Sequence, residues 1–544
     1  MDTYSWRICY NCLTYLEIHL LHLLDGFLEA ARHYAERPAL EVANRSYTYR
    51  DLTMRAAKIA AAVACSDSTF AGLLAYRSEA AYSGILGILA SGKGYVPLHP
   101  QFPVERTRHM LQLSGATVLV VGSEALHSLE ALLRLVDYQL TVVCAEVPRR
   151  LPPPHRLIGP DELPKVKQLP DVSRVAAETP AYLMFTSGSS GAPRGVAVSH
   201  ANASSYLSAV RQLYSPGPED RFSQTFDTTF DPSVHDLFVC WSSGACLFCL
   251  PPTAVVAPAT FIRDKKLTFW CSVPSTIGRC MQLRLLQPGS LPSLRWSLFC
   301  GEALPLSSVQ AWQAAAVNST VENLYGPTEA TIHNTRYRWD PLRSPARCRN
   351  GMVPIGWPLG DNQVCVVDEE LCPVPAGDVG QLCLAGPQVT PGYVNDAART
   401  HSQFVCLPHG GDLRWYCTGD RVVQGEGGCL HFLGRGDNQI KLRGFRVELE
   451  EIDNVLRQAA HTDLAMVVPW PPEGSRADAV YGFVCAHAAE PSAERTIREA
   501  CAAQLPEYMV PRRIFFLPTV PLNANGKIDR GMLATELKTM SLGH

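Results

Sequence analysis

A loop rich in hydroxyl groups and glycines follows an apolar run at residues 181–185 that predicts a short buried strand. Glycines allow close backbone approach, hydroxyls donate hydrogen bonds, and Arg194 supplies a positive charge, a combination that suits an anion. We therefore expect the loop to bind phosphate; a Ser/Gly-rich surface turn is the alternative. The candidate groups are Thr186, Ser187, Gly188, Ser189, Ser190, Gly191 and Arg194.

Two further segments place acidic residues beside turns. Asp231 lies between Phe230 and Pro232 at the start of a predicted helix, where from the residues alone a helix cap is the simplest interpretation. Residues 322–329 predict a strand that ends at a Gly-Pro turn and brings an aromatic ring, a hydroxyl and a carboxylate to one site. A plain turn with a capping Thr328 is the alternative for this second segment.

Candidate groups continue toward the end of the chain. Asp420 closes the segment 416–420, and a carboxylate there can accept hydrogen bonds from two neighbouring hydroxyls. Residues 434–448 place polar residues and glycines between two strand-like runs, which suits a hinge. Lys527, taken alone, is typical of a surface lysine.

Together these segments resemble the motifs of the adenylate-forming enzymes, which include acyl- and aryl-CoA ligases, luciferases and the adenylation domains of nonribosomal peptide synthetases. Seven matches occur in the family's order between residues 91 and 530, although Arg194 replaces the usual Lys and Phe432 stands where many relatives carry Tyr. Asp231 matches the residue that binds the substrate's α-ammonium group in amino-acid adenylation domains. The resemblance therefore favours an amino acid over a fatty or aromatic acid.

The resemblance implies ATP and Mg²⁺ as cofactors. Tyr325 would stack on adenine, Asn323 would bond its amino edge, and Glu329 would hold Mg²⁺ through the oxygen ligand that this ion prefers. Lys527 would bridge the substrate carboxylate and the α-phosphate, with Asp437 as the hinge. The implied catalytic set is Lys527, Glu329 and Thr328, and the implied nucleotide set adds Asn323, Tyr325, Asp420, Phe432 and Arg435 to the phosphate loop.

The family's substrate-pocket positions carry small, apolar and imidazole side chains in this sequence. Such a pocket resembles those for serine, threonine or cysteine, and part of it is similar to prolyl-loading enzymes. Two histidines facing a side-chain carboxylate or hydroxyl, and a β-amino acid substrate, stay open because pocket contacts discriminate weakly. The positions are Asp231, Pro232, His235, Ser272, Leu298, Cys300, Leu324, Ile332 and His333.

The order of predicted elements indicates an α/β fold. Helical patterns alternate with β-rich runs, as in layered sheets that are largely parallel. We expect a large N-terminal domain of layered sheets and helices at 1–434, and a small mobile α+β domain at 435–544 that carries Lys527. We interpret the proline-rich residues 147–170 as a surface connection.

The composition is that of a globular protein. The chain has 544 residues, 47% hydrophobic and 18% charged, with a net charge of −3, so no basic excess indicates a nucleic-acid partner. The apolar stretch at 15–24 is too short and too polar for a membrane span. Nineteen scattered cysteines suit a reducing cytoplasm, where we expect the protein to act.

The expected partners follow from the resemblance and from the last residues of the sequence. The chain ends fourteen residues after Arg530 with no carrier domain, so we expect a free-standing enzyme that loads a separate phosphopantetheinylated carrier protein. Coenzyme A as acceptor is the alternative, and a small activating protein is a further possible partner. A non-catalytic nucleotide-binding relative is the competing hypothesis from another class.

Overall fold

The computed structural model describes residues 22–144, 151–187, 193–408, 410–436, 439–471, 476–486, 492–521 and 528–541. Within them the helices are α1 Asp25–His33, α2 Tyr49–Val63, α3 Glu79–Ala90, α4 Val104–Ser114, α5 Leu126–Leu135, α6 His200–Tyr214, α7 Pro232–Trp241, α8 Pro258–Lys265, α9 Ser275–Gln282, α10 Leu306–Ala315, α11 Ala397–Gln403, α12 Leu449–Ala460, α13 Ala493–Ala502 and α14 Arg530–Ser541. Of the described helices, none combines the length and the apolar character that crossing a membrane requires.

The strands of the described residues alternate with these helices along most of the chain. They are β1 Pro38–Val42, β2 Arg45–Thr48, β3 Phe70–Leu74, β4 Gly94–Leu98, β5 Val118–Val121, β6 Thr141–Cys144, β7 Arg156–Ile158, β8 Pro180–Thr186, β9 Arg194–Ser199, β10 Arg221–Gln224, β11 Cys246–Cys249, β12 Phe269–Ser272, β13 Trp296–Phe299, β14 Thr320–Tyr325, β15 Thr335–Arg338, β16 Trp357–Pro358, β17 Gln363–Val367, β18 Val379–Ala385, β19 Phe404–Cys406, β20 Arg414–Gln424, β21 Leu430–Arg435, β22 Gln439–Leu442, β23 Phe445–Glu448, β24 Ala465–Trp470, β25 Arg476–Ala477, β26 Ala479–Cys485 and β27 Ile514–Leu517.

Two large sheets organise the first part of the described chain. One has the order β16-β15-β14-β13-β12-β10-β11-β1-β2 and is parallel from β14 to β1, and the other has the order β7-β6-β5-β3-β4-β8-β9 and is parallel except for the last pair. Tyr182 and Tyr206 share one fully buried core with Tyr82 and Trp241. The expected α/β fold with layered sheets is therefore confirmed.

Local sequence explains how the elements beside the site begin. The Ser199 side chain accepts the Asn202 N–H at 3.1 Å, and the Asn202 side chain accepts the Ser199 N–H at 3.2 Å, so α6 starts with a reciprocal capping box. α7 starts with Pro232, whose missing N–H costs nothing in a first turn. These two helices carry Tyr206 and His235 to the same region of the core.

A smaller C-terminal unit follows the antiparallel sheet of β17, β18, β20, β19 and β21. Strands β22 to β27 form two three-stranded sheets, and with α12 and α13 they bury a core of their own that includes Leu442, Ile452 and Val480. The large and small parts of the expected fold are thus both present. The boundary at 434/435 stays a prediction.

The interpretation of residues 147–170 as a surface connection is wrong in part. Residues Arg156–Ile158 form β7, the parallel edge strand beside β6. Prolines flank this three-residue strand without interrupting it, and an edge position leaves one side of the strand free of ladder hydrogen bonds, so a proline-rich neighbourhood is tolerated.

Candidate active site

An open cleft with about 740 Å³ of space between atoms lies where β14 and the antiparallel sheet approach the β22–β23 hairpin. Its walls carry the five nucleotide-binding residues that were predicted outside the phosphate loop, together with Lys441 and Arg446 of the hairpin. The predicted positions that line it are Asn323, Leu324, Tyr325, Asp420, Phe432 and Arg435. Segments up to 112 residues apart in sequence, from 323 to 435, therefore meet at one surface.

Asp420 is held on one wall of the cleft by two of the other predicted nucleotide residues. Arg435 donates to one carboxylate oxygen and the Tyr325 hydroxyl donates to the other. The turn before Asp420 is fixed by Gln381, whose side-chain oxygen accepts the Gly419 N–H at 3.0 Å. The carboxylate is thus fixed in orientation before any ligand arrives.

Asn323 presents an unpartnered oxygen beside the same wall. Its amide nitrogen donates to the carbonyl oxygens of Pro354 at 2.8 Å and Val353 at 3.3 Å, which fixes the orientation of the amide group. Its Oδ1 is buried and has no hydrogen-bond partner within the described residues. An exposed amino edge of a purine is the kind of donor that would satisfy it.

Glu329 is likewise held at both of its carboxylate oxygens. Its two oxygens accept from the Tyr393 hydroxyl at 2.8 Å and from Arg446 Nη1 at 2.7 Å. Burial alone would raise the pKa of Glu329, but the Arg446 guanidinium and the Tyr393 hydroxyl outweigh it and hold that pKa below its ordinary value. An ionised oxygen ligand fits Mg²⁺, so this residue can hold that ion.

The β22–β23 hairpin reaches the phosphate-loop end of the site. Ser187 Oγ donates to the Arg446 carbonyl oxygen at 3.1 Å and accepts the Glu448 N–H at 2.9 Å. Arg194 lies 3.6 Å from the Glu448 carboxylate. The hairpin therefore fills part of the space around the predicted phosphate loop.

The sequence reasoning missed three residues of this site. Arg446 and Tyr393 hold Glu329, and Lys441 lines the cleft with a pKa lowered by burial and then by Arg446. A signal for two of them was present, because Lys441 and Arg446 belong to the motif at 434–448. Nothing near Tyr393 in the sequence marks it.

Asp231 lies at the start of α7, but its side chain caps no backbone N–H of that helix. It is buried, and its Oδ2 instead accepts the Ile332 N–H at 3.0 Å from another segment. Burial raises the pKa of Asp231 to about 6 against the opposing effects of that N–H and of Lys441. The helix-cap interpretation is therefore wrong, and a carboxylate is available to a cation.

Two predicted pocket histidines meet through a third residue. The Tyr206 hydroxyl lies 2.7 Å from Nδ1 of His235 and 2.9 Å from Nδ1 of His333. Both histidines are at most 1% exposed. Burial lowers the pKa of His235 to about 3, and burial followed by His235 and Lys441 lowers the pKa of His333 well below its ordinary value. Both imidazoles are therefore neutral at physiological pH.

The remaining pocket positions lie in the surrounding core. Leu298, Cys300, Leu324 and Ile332 are 1–2% exposed and belong to the core shared by the large sheets. Ser272 ends β12, where its Oγ accepts from the Trp270 indole at 2.9 Å. Of the nine predicted pocket positions, only Leu324 is among the residues that line the cleft. Six predicted residues lie outside the described residues: Gly188, Ser189, Ser190, Gly191, Asp437 and Lys527.

Family models match most of the chain. Residues 27–394 match the model described as AMP-binding enzyme, and residues 451–527 match the AMP-binding enzyme C-terminal domain. The first match alone covers more than half of the 544 residues.

Individual relatives agree with these models. The chain is 32% identical to the Vibrio cholerae adenylation domain AlmE, solved with glycyl-adenosine-5′-phosphate, with 98% of this chain and 100% of that one covered and a TM-score of 0.84. It is 29% identical to the D-alanine–D-alanyl carrier protein ligase of Bacillus velezensis, covering 95% of this chain and 100% of that protein. It is 34% identical to a dimodular nonribosomal peptide synthase of Bacillus subtilis over 94% of this chain, but spans 21% of that protein. The chain therefore belongs to the AMP-binding enzyme family of adenylate-forming ligases.

Proposed function

We propose that the protein activates a small amino acid with MgATP and transfers it to the phosphopantetheine thiol of a separate carrier protein. The observation that carries the proposal is Asp231. This buried carboxylate caps no helix and has no ion-pair partner within 4 Å among the described residues. A buried charge of this kind needs a counter-ion, and the α-ammonium group of an amino acid would supply it.

In the first step a carboxylate oxygen of the amino acid attacks the α-phosphorus of ATP, and the bond to the β-phosphate breaks to release pyrophosphate. Asp420 and Tyr325 would orient the nucleoside, and Lys527, which lies outside the described residues, would bridge the attacking carboxylate and the α-phosphate. Glu329 would hold Mg²⁺, which when bound would supply positive charge to the phosphate oxygens. Positioning and fixed charges account for catalysis of this kind.

In the second step a thiol sulfur attacks the acyl carbon and AMP leaves. The described arrangement suits this step, because the β22–β23 hairpin lies in the cleft and Arg446 occupies one oxygen of Glu329. A cation on that oxygen would compete with Mg²⁺ for the same ligand. Rotation about Asp437 would exchange the hairpin for Lys527 between the two steps.

Named relatives support the carrier and the size of the substrate. One is solved with glycyl-adenosine-5′-phosphate and another is a D-alanyl carrier protein ligase. Both names indicate small amino acids, in agreement with the small residues Ser272 and Cys300 of the pocket. Serine, threonine, cysteine or proline is the substrate we propose, and a small activating protein is a possible additional partner.

Amino-acid-dependent ATP–pyrophosphate exchange tests the proposal. We expect one small amino acid to support exchange, and Lys527→Ala to reduce it by about 100-fold or more while ATP binding persists, because an oriented charge acts mainly in the transition state. Lys58→Ala is the matched control, since Lys58 is exposed on α2.

Two other outcomes would redirect the assignment. Exchange that is silent with amino acids, aryl acids and fatty acids, but with ATP binding intact, would favour a non-catalytic nucleotide-binding protein. Exchange followed by transfer to coenzyme A rather than to a phosphopantetheinylated carrier would replace the acceptor and leave the first step in place.

A further inference from the structure

The Tyr206 hydroxyl joins two imidazoles in a part of the protein from which solvent is excluded. Tyr206 is 0% exposed, and the distances from its oxygen to Nδ1 of His235 and of His333 are both hydrogen-bond distances. The two ring centroids of the histidines lie 6.0 Å apart. Tyr206 comes from α6, His235 from α7 and His333 from the segment before β15, so three separate elements meet at one oxygen.

Counting protons determines the forms of the two histidines. A tyrosine hydroxyl has one proton to donate and can accept another. It therefore donates to the bare Nδ1 of one histidine, and it accepts from a protonated Nδ1 of the other. Each neutral imidazole carries one proton, so one histidine must then present Nε2–H and the other a bare Nε2.

Both Nε2 atoms lack a hydrogen-bond partner among the described residues. Asp231 is the residue immediately before α7, and His235 follows it by four residues, close to one helical turn. His333 follows Ile332, whose N–H binds the Asp231 carboxylate. Both histidines are predicted pocket positions, so the unpartnered donor and acceptor are candidates to face the side chain of a bound amino acid.

The chemistry of this pair selects among side chains. An apolar side chain would leave both Nε2 atoms unsatisfied, which binding sites penalise strongly. A carboxylate accepts but does not donate, so it would need a second N–H and hence a protonated imidazole, which burial disfavours in both residues. A neutral group that donates once and accepts once satisfies both atoms.

We propose that Tyr206 is a specificity-determining positioning residue, which fixes His235 and His333 in complementary tautomers so that the enzyme selects an amino acid with a hydroxyl or carboxamide side chain. This inference rests on the proposed amino-acid activation. It narrows the substrate to one kind of side chain and excludes glycine, alanine and proline as the preferred substrates.

Side-chain isosteres test the preference directly. ATP–pyrophosphate exchange is measured with threonine against valine, serine against 2-aminobutyrate, and asparagine against aspartate. We expect at least about 100-fold higher kcat/KM for the neutral polar member of one pair, because the site rejects an analogue that leaves its polar atoms unpaired. The pair that responds distinguishes a hydroxyl from a carboxamide.

Tyr206→Phe tests the positioning role. The variant keeps the ring and removes the hydroxyl, so each histidine becomes free to exchange between its two tautomers. We expect the ratio of kcat/KM values within the responding pair to fall below about 10-fold, chiefly because KM for the polar substrate rises. Tyr214→Phe is the matched control, because Tyr214 lies on the same helix and its hydroxyl donates to Glu322 at 3.1 Å. We expect this control to keep the full discrimination.

Each outcome bears on one of the two claims. Exchange that is best with glycine, alanine or proline, or discrimination that Tyr206→Phe leaves intact, overturns the inference and leaves amino-acid activation in place. Silence with every amino acid overturns the proposed function and this inference with it. If Tyr206→Phe does not fold, His333→Gln and His333→Leu replace it. The glutamine carboxamide can donate or accept a hydrogen bond and leucine cannot. His333→Gln should therefore keep at least 10-fold more discrimination between the paired substrates than His333→Leu.

Discussion

The nucleotide end and the substrate end of the candidate site differ in how their charged groups are partnered. At the nucleotide end, charged groups hold one another: Arg435 binds Asp420, and Arg446 binds Glu329, whereas the neutral Asn323 Oδ1 has no partner among the described residues. At the substrate end, neutral polar atoms are buried without a partner among the described residues. These atoms are Nε2 of His235, Nε2 of His333, and the hydroxyl oxygens of Tyr95 and Tyr182. Burial, and then the nearby charge of Asp231, raises the pKa values of the two tyrosines.

The difference has an energetic reason. A buried charge without a partner costs several kcal/mol, whereas an unpaired neutral donor or acceptor costs about 1–3 kcal/mol. The nucleotide end therefore needs internal counter-ions whenever ATP is absent, and ligand binding there must exchange one partner for another. The neutral groups of the substrate end can stay unpaired before the ligand binds, because the cost in free energy is smaller. We therefore expect specificity to come from the unpaired neutral atoms, and the order of the two proposed reaction steps to come from the exchange of charged partners.

Asp231 is the exception to this difference, because it is a charged group without an ion-pair partner among the described residues at the substrate end. Asp231→Asn should show the largest effect: we expect kcat/KM for the amino acid in ATP–pyrophosphate exchange to fall by about 1,000-fold, since the ammonium group loses its counter-ion in a dry site. ATP binding should change little. Asp264→Asn, at an exposed position of α8, is the matched control. A fall below about 10-fold would place the ammonium group elsewhere.

The same substitution should stabilise the unliganded fold. The pKa of Asp231 is raised to about 6 from 3.8 in the unfolded chain, so the ionised carboxylate destabilises the fold above pH 6, by roughly 1–3 kcal/mol. That penalty disappears as the pH falls through 6 toward 4, because the carboxyl group takes up a proton. Urea unfolding should therefore find Asp231→Asn more stable at pH 7, with little difference at pH 4. The kcat/KM of the native enzyme should fall below pH 6 for the same reason.

Breaking the ion pair at the nucleotide end should have the next largest effect. Arg446→Met leaves the buried Glu329 carboxylate without its cation, and we expect a loss of about 3 kcal/mol in the free energy of unfolding. Glu329→Gln in the same background should recover much of this loss, and a double-mutant cycle by urea unfolding measures the coupling. A coupling near zero would mean that the pair does not hold the hairpin in solution. Arg443→Met, an exposed change in the same hairpin, is the control.

Contiguous motifs could be predicted from the sequence because their geometry is local. The strand at Thr320–Tyr325 and the turn after it place Asn323 and Tyr325 within six residues, and strand alternation with a Gly-Pro turn nearly determines that arrangement. The start of the helix at His200–Tyr214 is likewise local, because the capping residues Ser199 and Asn202 are three positions apart. Such features need no knowledge of the tertiary fold.

Contacts between distant segments could not be predicted in this way. Arg446 lies 117 residues from Glu329, and Tyr206 lies 127 residues from His333. The sequence contains several basic and aromatic residues that could each serve as such a partner. The order of the strands in the sheets determines which of them lies close enough to make the contact. Asp231 illustrates the limit: its helix-start position predicts a cap, and the approach of Ile332 from another segment provides the bond that its side chain makes instead.

The smallest expected effect is a change in how stability depends on pH, caused by His235 at the substrate end. The pKa of His235 is about 3 in the fold, below the 6.5 of an unfolded chain, so its neutral form contributes stability that is fully present above pH 6.5 and is lost as the pH falls toward 3. By pH 5 the loss amounts to about 2 kcal/mol. His235→Gln should therefore lose about 2 kcal/mol less than the native protein between pH 7 and pH 5 in urea unfolding. His127→Gln, at an exposed position of α5, should keep the native slope. An unchanged slope in His235→Gln would indicate that His235 takes up a proton equally well in the folded and unfolded chains, which would contradict a neutral imidazole at the substrate end.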